Sequence, residues 1–160
     1  LNKPKIIGTR AETAVVRFMR SAGFPQAERR ALRGTLDAGD VTGCPGLAVS
    51  IKGGQQAKAA SDGLIATWLG ELMTQVANAG ADVGLLVVAR AGIGEANAGR
   101  WWAVMPGWQY EQLCNPVNRV TAAGAIGRWC FGDRGPIRQH LTQACALLVY
   151  AGYGSREVVA

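Results

Sequence analysis

The stretch GDVTGCPGLAVSIK, Gly39–Lys52, limits what this chain can fold into more than any other. Pro45 suits a turn position that wants φ near about −65°, and Gly46 suits the next one, where a type II turn requires positive φ. The chain therefore doubles back into a hairpin. Asp40 then lies across from residues 49–51, within about 5–8 Å counting diagonal neighbours. On the second strand Leu47, Val49 and Ile51 point one way, and Ala48, Ser50 and Lys52 the other. The expectation is a hairpin with one face in a core and a solvent-facing side that gathers Asp40, Ser50 and Lys52.

An acid and a lysine held together in this way suit metal-assisted phosphodiester hydrolysis. A hard cation takes carboxylate oxygens, and a lysine steadies the attacking water or the developing charge. The spacing equally allows a surface ion pair. Upstream, Val15, Phe18, Met19 and Ala22 recur at helical spacing, and Gly23 is expected to stop that helix before Pro25. Glu12 falls in its predicted first turn. There Thr9 and Glu12 have the spacing of a capping box, in which Glu12 only bonds the backbone of Thr9. Asp37 has two readings: an acid bonding nearby backbone in a glycine-containing turn, or a supporting group beside the principal ligand.

Charge is a second line of argument. Residues 1–60 hold 10 basic and 4 acidic side chains, and residues 61–160 hold 7 of each, so the whole net charge of +6 lies in the segment with the hairpin. Such a localised field suits a polyphosphate partner. Lys3, Lys5 and Arg10 form one basic stretch, Arg29, Arg30 and Arg33 a second, and Lys58 follows the hairpin. Alternation along a strand puts Arg29 and Arg33 on one face and Arg30 on the other. Phosphate contacts position a protein without reading sequence, so selectivity for shape is expected.

Taken together, these segments resemble the Holliday-junction resolvase branch of the PD-(D/E)XK nuclease superfamily, especially its phage members. GTRAE (8–12) looks like the opening Gly-Ser/Thr-Arg-x-x-Glu on the first helix, and AERRALRGTLDAGDVTG (27–43) like the basic strand leading to a metal-binding Asp. GLAVSIK (46–52) sits where the family has a hydrophobic strand ending Glu-x-Lys, followed by a long helix (64–80) and a strand (81–90). The resemblance spans about residues 8–106 and leaves 107–160 as a C-terminal extension. It implies an α/β fold of the restriction-endonuclease-like kind, a mixed central sheet flanked by helices. It also implies cleavage of branched DNA such as a four-way junction, Mg²⁺ or Mn²⁺ as cofactor, and a homodimer that nicks opposite strands. Position by position it makes Glu12 and Asp40 metal ligands, gives Ile51 a backbone carbonyl for the metal, and makes Lys52 the catalytic lysine.

Ser50 departs from this pattern, because such nucleases place a second acid there and serine is a neutral, weak ligand for Mg²⁺. Three readings stand: a substitution that disables the site, compensation by another acid such as Asp37 or Asp62, or a relative that binds branched DNA without cutting it. As written, the chain is expected to cut weakly or not at all while binding survives, and flaps or ordinary duplex stand as alternative targets for a nuclease of this fold.

With 160 residues, 49% of them hydrophobic, a single domain with a sizeable core is expected. No apolar run approaches the ~20 residues of a membrane span, and the expected location is the cytoplasm. Cys44, Cys114, Cys130 and Cys145 lack the short clips of structural zinc, so reduced thiols are expected, and His140 reads as a helix residue. Gly53–Gln56 and the stretch 91–99 read as mobile loops. In RWWAVM one of Trp101 and Trp102 must face the core and the other outward. The last fifty residues read as strands near 117–122 and 128–131 and a helix from about Pro136 with an apolar stripe of Leu141, Ala144, Cys145, Leu148 and Val149.

Overall fold

The computed structural model describes residues 3–31, 36–115 and 135–155. Helix α1 (Lys3–Ser21) begins with Pro4 in its first turn, where proline's fixed φ suits a helix and its missing N–H costs nothing. It buries Ala11, Val15 and Met19. Gly23, at φ +100°, ends it, and a Cβ at that position would come within 2.6 Å of Val149 Cγ2. Strands β1 (Glu28–Arg29) and β2 (Val41–Thr42) pair antiparallel.

The turn at Cys44–Leu47 is type II: Leu47 N donates to Cys44 O at 3.0 Å and Gly46 has φ +78°. Strand β3 (Leu47–Lys52) runs back along the incoming chain, with Asp40 N donating to Val49 O at 2.7 Å. The short helix α2 (Gly54–Lys58) and the long α3 (Asp62–Ala79) follow. Ser61 caps α3 by accepting from Leu64 N at 3.2 Å, and Gly80 closes it in the left-handed conformation. Strand β4 (Val83–Val88), a 3₁₀ helix (Glu95–Arg100), β5 (Trp102–Met105), α4 (Gly107–Cys114), β6 (Ile137–His140) and α5 (Leu141–Tyr150) complete the order.

The main sheet has the order β3-β4-β5-β6, with β3 and β4 parallel and the other pairs antiparallel. The fold is thus mixed α/β, a four-stranded mixed sheet flanked by helices.

Both faces of β3 are covered, which corrects the expected solvent-facing side of the hairpin. Leu47 to Ile51 are all buried, and Ser50 is only 1% exposed. The cause is the parallel β3–α3–β4 crossover, which lays a helix over the face the hairpin alone would leave open. Gly84, the register partner of Ala48, marks that face: a Cβ there would lie 2.9 Å from both Leu72 Cγ and Val76 Cγ2 of α3. Leu72 is fully buried, and Leu72→Ala would cost about 2–5 kcal/mol. Helix α3 crosses this face with Asp62 near Arg138 of β6 and Glu71 near Lys52 of β3.

Three other expectations are corrected. Residues 54–58 are helical, because Gly53 lets the backbone approach α1 where a Cβ would meet Ala11 Cβ at 2.5 Å. Residues 95–100 form a 3₁₀ helix packed under Phe18, whose Cε2 would be 2.5 Å from a Cβ on Gly99. The C-terminal helix starts at Leu141, not Pro136. Residues 137–140 instead pair with β5, and Gln143 Oε1 accepts from His140 N at 3.0 Å at the strand-to-helix junction. The stripe of Leu141, Ala144, Cys145 and Leu148 is buried in the core. The strands expected near 117–122 and 128–131, and Cys130, lie outside the described residues.

Candidate active site

Asp40 sits beside the outer edge of β3, held by main-chain bonds on both sides. Its N–H goes to Val49 O, its carbonyl accepts from Arg30 N at 2.8 Å, and its carboxylate Oδ2 accepts from Ile51 N at 2.6 Å. The N–H and C=O of a strand residue point to the same side, so the Ile51 carbonyl faces the same edge as Asp40. Burial pushes the Asp40 carboxyl above the usual carboxylate range. The Ile51 N–H opposes that shift, Glu12 adds to it, Lys52 opposes it and Asp37 adds to it. Glu12, Asp40 and Lys52 thus lie within electrostatic reach of one another.

Glu12 is mid-helix, because α1 begins at Lys3, and the capping box with Thr9 is absent: the Thr9 carbonyl accepts from Thr13 Oγ1 instead. Glu12 Oε2 receives a guanidinium fork from Arg29, at 2.8 Å from Nε and 2.7 Å from the terminal nitrogen. Asp37 makes the turn bond expected of it, with Oδ1 accepting from Gly39 N at 3.0 Å. Its other oxygen accepts from Gln75 Nε2 at 2.8 Å, which ties the loop to α3.

Lys52 turns toward α3. Its ammonium is 3.1 Å from Glu71 Oε2 and lies over the Trp68 ring at 5.6 Å from the centroid. Ser50 precedes it on the same face. Neither Asp37 nor Asp62 is the acid next to Lys52, since Asp62 begins α3 nine residues, or about 13 Å of helix axis, before Glu71. Glu71 is the site residue that sequence reasoning missed. A signal existed: Trp68, Glu71 and Gln75 recur at i, i+3 and i+7, which places an acid and an amide along the flank of the buried Ile65–Leu72 stripe.

The basic residues divide. Arg10 pairs with Glu95 at 3.1 Å and Arg29 with Glu12, whereas Lys5 and Lys58 are exposed. Arg30 diverges from Arg29 and reaches the Val41 carbonyl at 3.4 Å. The Lys3 side chain and Arg33 lie outside the described residues.

Among the described residues no three Asp, Glu, His or Cys side chains converge as a metal-binding group. Of a conceivable zinc set of Cys114, Cys130, His140 and Cys145, Cys130 lies outside the described residues, while Cys114 is exposed, Cys145 is buried and His140 contacts Arg90. What the β3 edge offers is two carboxylates, Asp40 and Glu12, in mutual repulsion, with the Ile51 carbonyl on the same edge. That set suits Mg²⁺, which is commonly held by one or two carboxylates with water and substrate phosphate completing its shell, and does not suit an all-protein cage. Compared with family models, curated proteins and solved structures, the chain matches none.

Proposed function

We propose that this chain is a divalent-metal-dependent endonuclease of restriction-endonuclease-like fold that acts on branched DNA in the cytoplasm, working as a homodimer with its catalytic strength reduced at Ser50. The observation that carries this reading is Asp40: a half-buried carboxyl pinned to the Ile51 N–H, raised in pKa by desolvation and by two neighbouring acids, and in the field of Lys52. Perturbed carboxyls cluster at functional sites, which supports a chemical role for Asp40. The hairpin that delivers it, the helix bearing Glu12 and the parallel β3–β4 pair support the same reading.

Asp40, Glu12 and the Ile51 carbonyl would hold Mg²⁺ or Mn²⁺. When bound, the cation supplies Lewis acidity at the phosphate and an acidified water. Lys52 would orient the nucleophile and offset negative charge once its ammonium turns from Glu71. Arg29 lies exposed beside Glu12, where a phosphate backbone approaching this edge would meet it, and Lys5 and Lys58 extend the basic surface. Ser50 contributes no charge, so binding is expected to outlast cutting. A non-cutting junction binder is the second reading, favoured by the neutral Ser50 and the Lys52–Glu71 tie.

The test is incubation of a labelled four-way junction, and of a matched linear duplex, with the chain and its Ser50→Glu and shorter Ser50→Asp variants in Mg²⁺ or Mn²⁺. Paired symmetric nicks in the junction, strongest with an acid at position 50, are expected. Junction binding with no nicks from any of the three proteins would leave the non-cutting reading in place, and absence of junction binding would overturn both.

A further inference from the structure

The register carries one row of side chains across the whole sheet at its rim: Lys52 opposite Val88, Val88 opposite Trp102, and Trp102 opposite His140. Register partners point to the same face. Three inter-strand spacings of about 4.8 Å put His140 about 14 Å from Lys52 along this row. Trp102 is the outward member of its pair: Trp101 is 2% exposed with its indole N–H on Ile93 O, whereas Trp102 is half-buried.

Around Trp102 the charge is of one sign. The Arg90 guanidinium lies over the indole at 4.3 Å from the centroid, and Arg138 at 5.6 Å. The His140 ring is 5.5 Å from the same indole, and its Nε2 accepts from Arg90 at 3.0 Å. Among the described residues no carboxylate pairs with Arg90, and Arg138 meets only the fully exposed Asp62 at 3.4 Å. An arginine whose side-chain partners are an indole and an imidazole has its charge unspent. Stacking on Trp102 also orders both guanidiniums beforehand, which lowers the entropy that an incoming anion must offset.

We infer that Arg90, Arg138, Trp102 and His140 form a clamp for the DNA phosphate backbone, separate from the Asp40 site and continuing its track along the sheet rim past Lys52. Arg90 and Arg138 donate to phosphate oxygens, Trp102 holds the two guanidiniums at fixed spacing, and His140 keeps Arg90 turned toward the rim. This rests on the nucleic-acid reading above, but uses none of the residues that reading places at the metal.

The test is fluorescence anisotropy with a labelled four-way junction across a salt series, on the full chain and its Arg90→Gln/Arg138→Gln, Arg138→Gln and Trp102→Leu variants, each checked for an unchanged circular dichroism spectrum. Inorganic phosphate as competitor separates a backbone clamp from a site for the free ion. The double variant is expected to lose about 10-fold or more in affinity and to flatten the log K against log salt slope by about two. Arg138→Gln alone, exposed and therefore safe for folding, should flatten it by about one. Trp102→Leu should weaken binding with the slope nearly intact. An unchanged slope in both arginine variants while the parent chain binds would overturn the clamp alone. Failure of the parent chain to bind DNA would overturn the nucleic-acid reading with it, and competition by millimolar phosphate would replace the backbone with a free-ion ligand.

Discussion

The two ends of the sheet handle charge in opposite ways. At the β3 edge cations meet carboxylates, Arg29 on Glu12 and Lys52 on Glu71, around a half-buried Asp40. At the rim by β5 and β6, Arg90 and Arg138 lie on an indole beside a histidine, with one exposed carboxylate in reach of Arg138. The first arrangement balances charge around acids and suits chemistry. The second leaves positive charge unbalanced and suits grip. Counting by segment places all of the excess in residues 1–60, yet Arg10, Arg29 and Lys52 there are paired with carboxylates, whereas Arg90, from the segment that sums to zero, lies on an indole and an imidazole. Field follows tertiary pairing, which segment sums do not contain.

This contrast can be broken deliberately. Glu12→Gln with Glu71→Gln would release Arg29 and Lys52 and turn the β3 edge into a second cationic surface. DNA affinity measured at low salt should rise about 10-fold, with a salt slope steeper by one to two. Unchanged affinity would mean those two cations do not face DNA.

The next effect is on stability. The Asp40 carboxyl is raised in the folded chain, so the fold binds that proton more tightly than the unfolded chain does. This contribution favours folding below the unfolded-state pKa and is lost as pH rises toward the folded one. Asp40→Asn should therefore raise Tm at pH 7, by about 2–4 °C per kcal/mol relieved, and the gain should vanish in acid. The amide oxygen of Asn can still accept from the Ile51 N–H. A lower Tm at pH 7 would show that the charge stabilises the fold.

The smallest effect concerns Lys52 and Glu71. Both side chains are partly exposed, so a double-mutant cycle with Lys52→Met and Glu71→Gln should return a coupling of about 0.2–1 kcal/mol in thermal or urea unfolding. A much larger value would mean a structural ion pair, poorly suited to exchanging Glu71 for substrate.

The thiols give a further check. Burial pushes Cys44 to about 11 and Cys145 to about 12, with Cys44 adding to the latter shift, so both remain protonated at pH 8. Iodoacetamide followed by mass mapping should label exposed Cys114 first and reach Cys44 and Cys145 only after unfolding.

Local chemistry made much of the fold legible. Pro45–Gly46 specified the turn, the long helix expected at 64–80 is found at Asp62–Ala79, and the Leu141–Leu148 stripe was core. Alternation correctly separated Trp101 from Trp102. The failures were tertiary. Nothing in the hairpin itself revealed that α3 would bury Ser50, and Pro136 looked like a helix start because the need of β5 for a strand partner is not local. In the site, Asp40 beside residues 49–51 followed from turn geometry. Glu71 and the Trp102 clamp did not, because each depends on which strands become neighbours.

The central claim is that the β3 edge is a phosphodiester-hydrolysing site organised by Asp40. Its most direct test is symmetric nicking of a four-way junction in Mg²⁺ by Ser50→Glu compared with Ser50→Glu/Asp40→Asn, with junction affinity measured in parallel. The account predicts nicking by the first and a loss of about 100-fold or more in the second, at affinity changed by less than about threefold. Equal nicking by the two proteins, or none by Ser50→Glu despite tight binding, would contradict it.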